Sequence, residues 1–95
     1  MRYLWDSVKQ RKNLNKHGVE FADAAIALED DNALTVVDED SQGEYRFLTL
    51  CVGPMPDVLF VVHTEELEGM ITIISARVAE PAERRQYYKG IDYGY

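Results

Sequence analysis

Four strand-like segments crowd into residues 33–75, and only short turns rich in breakers separate them. Parallel neighbours would need a long crossover between consecutive strands, and no turn here is long enough. The segments are therefore expected to pair as an antiparallel meander. The first strand is read at 33–37, followed by a polar turn over 38–43. The second, 44–52, alternates: Tyr45, Phe47, Thr49 and Cys51 point to one face, Arg46, Leu48, Leu50 and Val52 to the other. Gly53, Pro54 and Pro56 break the chain before 58–63, which is almost wholly apolar and reads as a strand buried on both faces. An acidic turn over 65–69 leads to the fourth strand, where Ile71, Ile73 and Ile74 again suggest burial on both sides.

Helices flank this meander. Tyr3, Leu4 and Trp5 form a short opening strand, and Asp6 is placed to cap a helix over 7–17. Val8 and Leu14 are its core candidates, and Gly18 suits the left-handed residue that ends it. Lys16 and His17 then stand at the negative end of the helix dipole. A second helix is expected over 20–29, because Phe21, Ala24, Ala25 and Leu28 repeat at helical spacing. Pro81 suits the first turn of a last helix running through residue 88, with 90–95 as a loose tail. The order β-α-α-β-β-β-β-α implies one α+β domain over 1–95, an antiparallel meander packed in two layers by two N-terminal helices and one C-terminal helix.

Charge is unevenly spread. The net charge of −7 argues against a general nucleic-acid binder. Residues 1–19 nevertheless carry +4 and residues 70–95 carry +1, whereas 20–69 carry −12 with Arg46 as the only base. If the basic ends meet, they form a cationic patch on an acidic body, with Lys16 or His17 in reach of the same groove as Arg77 and Arg84. Residues 71–88 supply the rest of that patch: Arg77 ends a strand, and Arg84 and Arg85 follow on the next helix. Guanidinium groups gathered at such a corner fit phosphate, with Glu83 and Tyr87 or Tyr88 placed to orient them. The plainer reading is that Arg77 pairs with an acidic neighbour and the helix arginines are solvated.

Other classes find no support in the sequence. No apolar run is long enough to suggest a membrane span, and the N-terminus lacks the apolar stretch of a signal peptide. One cysteine, Cys51, makes no internal disulfide and fits the cytoplasm. No histidine or cysteine pair has metal-ligand spacing, so no metal or other cofactor is expected.

At this point a family pattern is visible. Trp5, Asp6 and Lys9 are followed by Asn13, Lys16, His17, Gly18, Val19, Phe21 and Ala24. Glu44, Arg46 and Phe47 come next, then the runs 61–65 and 73–77, then Ala79, Glu83, Arg84, Arg85 and Tyr87. This succession resembles the BrnT family of bacterial type II toxins. The resemblance implies a small ribonuclease with a RelE-like fold. It also implies a cognate antitoxin, usually of the ribbon-helix-helix type, through which alone DNA would be contacted. It points to Arg77, Glu83 and Arg84 as residues tied to toxicity. One departure is Thr72, where the family pattern leads one to expect arginine.

Cutting RNA without a metal requires that the 2′-OH lose a proton, the 5′-oxygen gain one and the pentavalent phosphorus be stabilised. Arg77 and Arg84 suit the stabilising task. His17 or His63 suits proton transfer, since histidine titrates nearest neutral pH, although His63 at the end of an apolar strand also reads as a structural histidine. Glu83 suits either a base or an orienting carboxylate. Lys9, Lys12, Lys16, Arg46 and Arg85 complete an RNA-contacting set. The rival class is a module without chemistry, whose charges serve only to hold its protein partner.

Overall fold

The computed structural model describes residues 2–38 and 45–92, with the side chains of Leu67, Ile91 and Asp92 left out. Most of the polar turn expected at 38–43, Glu44 and the end of the expected tail lie outside the described residues. The elements are β1 (Arg2–Leu4), α1 (Ser7–His17), α2 (Phe21–Ala27), β2 (Leu34–Asp38), β3 (Arg46–Cys51), β4 (Leu59–His63), β5 (Met70–Val78) and α3 (Pro81–Asp92). A single 3-10 turn, Leu67–Gly69, precedes β5. The order is the one expected from the sequence.

One sheet of five strands runs β1-β5-β4-β3-β2. Its last four strands in sequence, β2 to β5, form the expected antiparallel meander. The sheet as a whole is mixed, because β1 joins β5 in parallel with Arg2 opposite Met70. A strand of three residues carries too little pattern to reveal its partner or sense. The long connection from β1 to β5 permits either direction.

Strand pairing lines side chains up in cross-sheet rows. Thr35, Thr49, Val61 and Ala76 form one row, and Leu34, Leu50, Phe60 and Arg77 form the neighbouring row on the opposite face. The first face is packed by Val19, Phe21, Ala24, Ala25 and Ala27 against Cys51, Leu59, Val61, Ile73 and Ala76, giving the main core. The second face carries a smaller cluster of Leu50, Val58 and Tyr87, with Leu34 and Phe60 beside it. The helices thus lie on opposite faces, which corrects the two-layer expectation to three layers. It also corrects burial. Leu59, Val61 and His63 are buried, but Phe60 and Val62 are only half-buried, because α3 covers just part of its face. β5 behaves alike, and it carries one extra residue where Val62 pairs with Ser75 but His63 with Ile73.

Local features follow the residues. The Asp6 carboxylate accepts from Val8 N at 2.8 Å and Lys9 N at 3.1 Å, and Gly18 ends α1 at φ +71°. The core assignment on α1 changes: Val8 is 53% exposed, and the buried residue is Asn13. Asn13 Nδ2 donates to Ala76 O at 2.8 Å and Val19 O at 3.0 Å, while its Oδ1 accepts from Ala76 N at 3.1 Å. β1 pairs with residues 70–72 of β5, and among the described residues no strand continues along the edge beyond them. Asn13 supplies there the donor and acceptor that a strand would have offered.

α3 extends to Asp92, so residues 90–92 are helical rather than tail. Its anchor is Tyr87, whose hydroxyl donates to Asp30 Oδ2. The same oxygen accepts from Val52 N at 2.9 Å. Tyr87 therefore holds the helix to the sheet and does not orient the arginines.

Candidate active site on the α3 face

The strand-to-helix corner at the end of β5 makes the best-defined polar constellation. Arg77 NH1 and NH2 each donate to one oxygen of Glu83 at 2.9 Å, a two-point fork. NH1 also donates to Val78 O at 3.2 Å. The guanidinium carbon sits 4.2 Å from the centroid of the Phe60 ring, its cross-strand partner. The local sequence explains the fit. Pro81 starts α3 just after β5, and Glu83 in the first helical turn caps the Glu80 N–H at 2.8 Å while facing back to Arg77.

Counting donors shows what remains. Glu83 occupies the end-on edge of the guanidinium, and Val78 takes the outer NH1 proton. The side-on edge, formed by Nε–H and the outer NH2 proton, has no partner among the described contacts. Two parallel donors are thus left for a planar or tetrahedral anion. Hydrogen bonding to Glu83 raises the Arg77 pKa above its ordinary value, so the charge is permanent. Arg77's hydrogen bonds, together with the Glu80 N–H, outweigh burial and hold Glu83 below the usual carboxylate range. Of the two roles read for Glu83, its partners and depressed pKa suit orienting and disfavour proton abstraction.

An open groove of about 620 Å³ adjoins this pair. Its strand side carries Leu34, Leu50 and Phe60, and its helix side Glu83, Gln86 and Lys89. The groove was not foreseen, and its signal was the alternation of Leu48 and Leu50 on β3 with Phe60 on β4, which marks a second apolar face that one helix covers only in part.

The other expected site residues are dispersed. Arg84 and Arg85 are exposed on α3. Lys9, Lys12 and Lys16 are exposed on α1, and His17 there is half-buried. Arg46 lies at the start of β3, opposite Asp38 in register. Asn13 brings α1 to the edge of β5 one residue from Arg77, yet the Arg77 side chain turns onto the α3 face. No described contact joins Lys16, His17 or Arg84 to the Arg77–Glu83 pair. Thr72 is half-buried, its N–H bonded to Thr64 Oγ1 at 3.3 Å.

His63 is 2% exposed and takes the structural role. Its Nδ1 lies 3.3 Å from Thr64 O, which can only accept, so Nδ1 carries the proton. Nε2, 2.8 Å from Thr49 Oγ1, then accepts from that hydroxyl, and Thr35 Oγ1 lies 2.8 Å beyond it. Burial lowers the His63 pKa against the raising effects of Thr64 and Glu65, so the ring is neutral at pH 7. Burial likewise pushes the Cys51 thiol up to about 12, which leaves it unreactive. Among the described residues, no cluster of His, Cys, Asp or Glu is placed to hold a metal ion, and no helix is long and apolar enough to cross a membrane.

A family model described as ribonuclease toxin, BrnT, of type II toxin-antitoxin system matches residues 5–83. The chain belongs to the BrnT family. A solved structure, the 1.1 Å crystal structure of the Brucella abortus ribonuclease toxin BrnT, has the same fold with a TM-score of 0.62. It is 23% identical, and the match covers 84% of this chain and 97% of that one. No curated protein matches the chain. The BrnT assignment covers α1 through the first turn of α3 and therefore includes both Arg77 and Glu83.

Proposed function

We propose that this BrnT-family chain is an endoribonuclease whose phosphate-binding centre is Arg77, and that a ribbon-helix-helix antitoxin neutralises it in the cytoplasm. The observation that carries this reading is the guanidinium fixed by Glu83 and Phe60, with its side-on edge unpartnered among the described residues. A donor pair held in this way is ready for charge that develops on phosphorus and loses little entropy when phosphate arrives. The reaction is metal-independent transesterification in a RelE-like fold. The 2′-oxygen gives its proton to a base and bonds to phosphorus, the P–O5′ bond breaks, and the 5′-oxygen leaves with a proton. The products carry a 2′,3′-cyclic phosphate and a 5′-hydroxyl. His17 is the residue proposed for proton transfer, and Arg84 adds positive charge beside the scissile phosphate. Lys9, Lys12 and Lys16 on α1, Arg46 on β3 and Arg85 on α3 are the residues proposed to hold the flanking RNA strand.

One observation favours the second reading, a module that only pairs with its antitoxin: Glu83 already neutralises Arg77, and no histidine contacts that pair among the described residues. A single experiment separates the two. The chain is expressed alone, and growth is followed together with the RNA ends formed by purified protein in chelator. Growth arrest with cyclic phosphate ends supports the ribonuclease. Normal growth and intact RNA at high protein concentration overturn it in favour of the binding module.

A further inference from the structure

The cross-sheet row Leu34, Leu50, Phe60 and Arg77 is an apolar floor that ends on a cation. Glu83 and Phe60 line the groove and also fix Arg77, so the guanidinium stands beside the groove's end. On the helix side Gln86 is exposed and offers both a donor and an acceptor. Apolar strand residues facing a few polar side chains, here Glu83, Gln86 and Lys89 along α3, are the usual make-up of a small-ligand site, and a volume of about 620 Å³ falls in that class. A nucleotide has the matching parts: a flat ring with apolar faces, a polar edge and an anion at one end. A stable protein interface would need roughly 800 Å² from each partner, which calls for a broader surface.

We propose that the groove between α3 and the β2–β3–β4 surface is a nucleobase subsite. It receives the base of the nucleotide whose phosphate lies on the open edge of Arg77, and Gln86 reads the edge of that base. The inference rests on the phosphate-binding role given to Arg77 above, and it assigns the substrate's base selectivity to residues outside the Arg77–Glu83 pair. The floor packs against the ring faces and tolerates any base, whereas the Gln86 amide discriminates among donor and acceptor patterns.

The test is titration of the whole chain with the four 3′-nucleoside monophosphates, ribose 5-phosphate, inorganic phosphate and adenosine. Affinity and the NMR signals of the Leu34, Val36, Leu48 and Leu50 methyl groups are followed. At least one nucleotide is expected to bind about tenfold or more tightly than ribose 5-phosphate, in line with the usual worth of a buried base, and to move those methyl signals. Gln86→Ala should change the ranking of the four bases and leave inorganic phosphate binding unaltered. Methyl shifts with adenosine alone support the subsite even if inorganic phosphate fails to bind, and that failure counts against the phosphate reading of Arg77 only. Equal affinity for ribose 5-phosphate and all four nucleotides, with silent methyl groups, overturns the subsite. Methyl shifts produced by an apolar peptide and by none of the nucleotides or adenosine overturn it in favour of a protein-docking face.

Discussion

Replacing Arg77 by alanine should abolish RNA cleavage and leave the chain folded. The ion pair it removes is partly exposed, with side chains 30% and 22% accessible for Arg77 and Glu83. Solvent screening limits such a pair to about 1 kcal/mol, far from the ~3–5 kcal/mol lost when a fully buried pair is broken. Contact with the Phe60 ring adds ~0.5–1 kcal/mol and the bond to Val78 O about 1 kcal/mol. The stability loss is then about 2–3 kcal/mol, or roughly 10–20 °C in melting temperature for a domain of this size. The catalytic effect is larger in consequence, since one fixed donor to a developing oxyanion typically supports ~100–1000-fold in rate. Arg77→Lys keeps the charge but loses the two-donor edge, and it should recover little of that rate. Thermal melts and cleavage of a short RNA, run on the same preparations below the melting temperature, provide the assay. Cleavage within threefold of the parent refutes the role of Arg77. A chain unfolded at room temperature shows instead that the pair serves the fold.

Asn13→Ala should destabilise by about 2–4 kcal/mol, because three bonds to backbone are lost at a site 7% exposed, and a denaturant titration checks it. Acid should weaken the fold in two windows. His63 is neutral when folded with a pKa below 6.5, so the unfolded chain takes up a proton first and stability falls as pH drops below 6.5 until the folded value is passed. Asp6, Asp30 and Glu83 have depressed pKa values, and their contributions are lost only below about pH 4.5. Urea midpoints of the parent should fall between pH 7 and 5, and a His63→Gln variant should show a flatter slope there. Gly53→Ala should cost about 1–3 kcal/mol, since its Cβ would stand 2.8 Å from Ala27 Cα, and calorimetry reads the change.

Much of this molecule is local, and local features are legible from residues alone. The Asp6 cap, the Gly18 stop, the Pro81 start and the alternation through β3 depend on neighbours within a few positions. The antiparallel order of β2 to β5 is equally local, because short turns leave adjacent strands no other partner. What the chain could not announce was which distant groups would meet. Asn13 reads as one polar residue on a basic helix, yet it closes the edge of β5, 63 positions away. Tyr87 reads as a residue near arginines, yet its hydroxyl goes to Asp30. Arg77 and Glu83 are six positions apart, but only packing decides the two-point fork between them and which guanidinium edge it occupies. The same holds for the faces of the sheet. Successive strand residues point to opposite sides whatever the fold, so β3 announces two apolar faces and not which helix covers each. Tertiary packing placed α2 over one and α3 over part of the other. A long-range contact depends on chain path, and no periodicity within one segment encodes it.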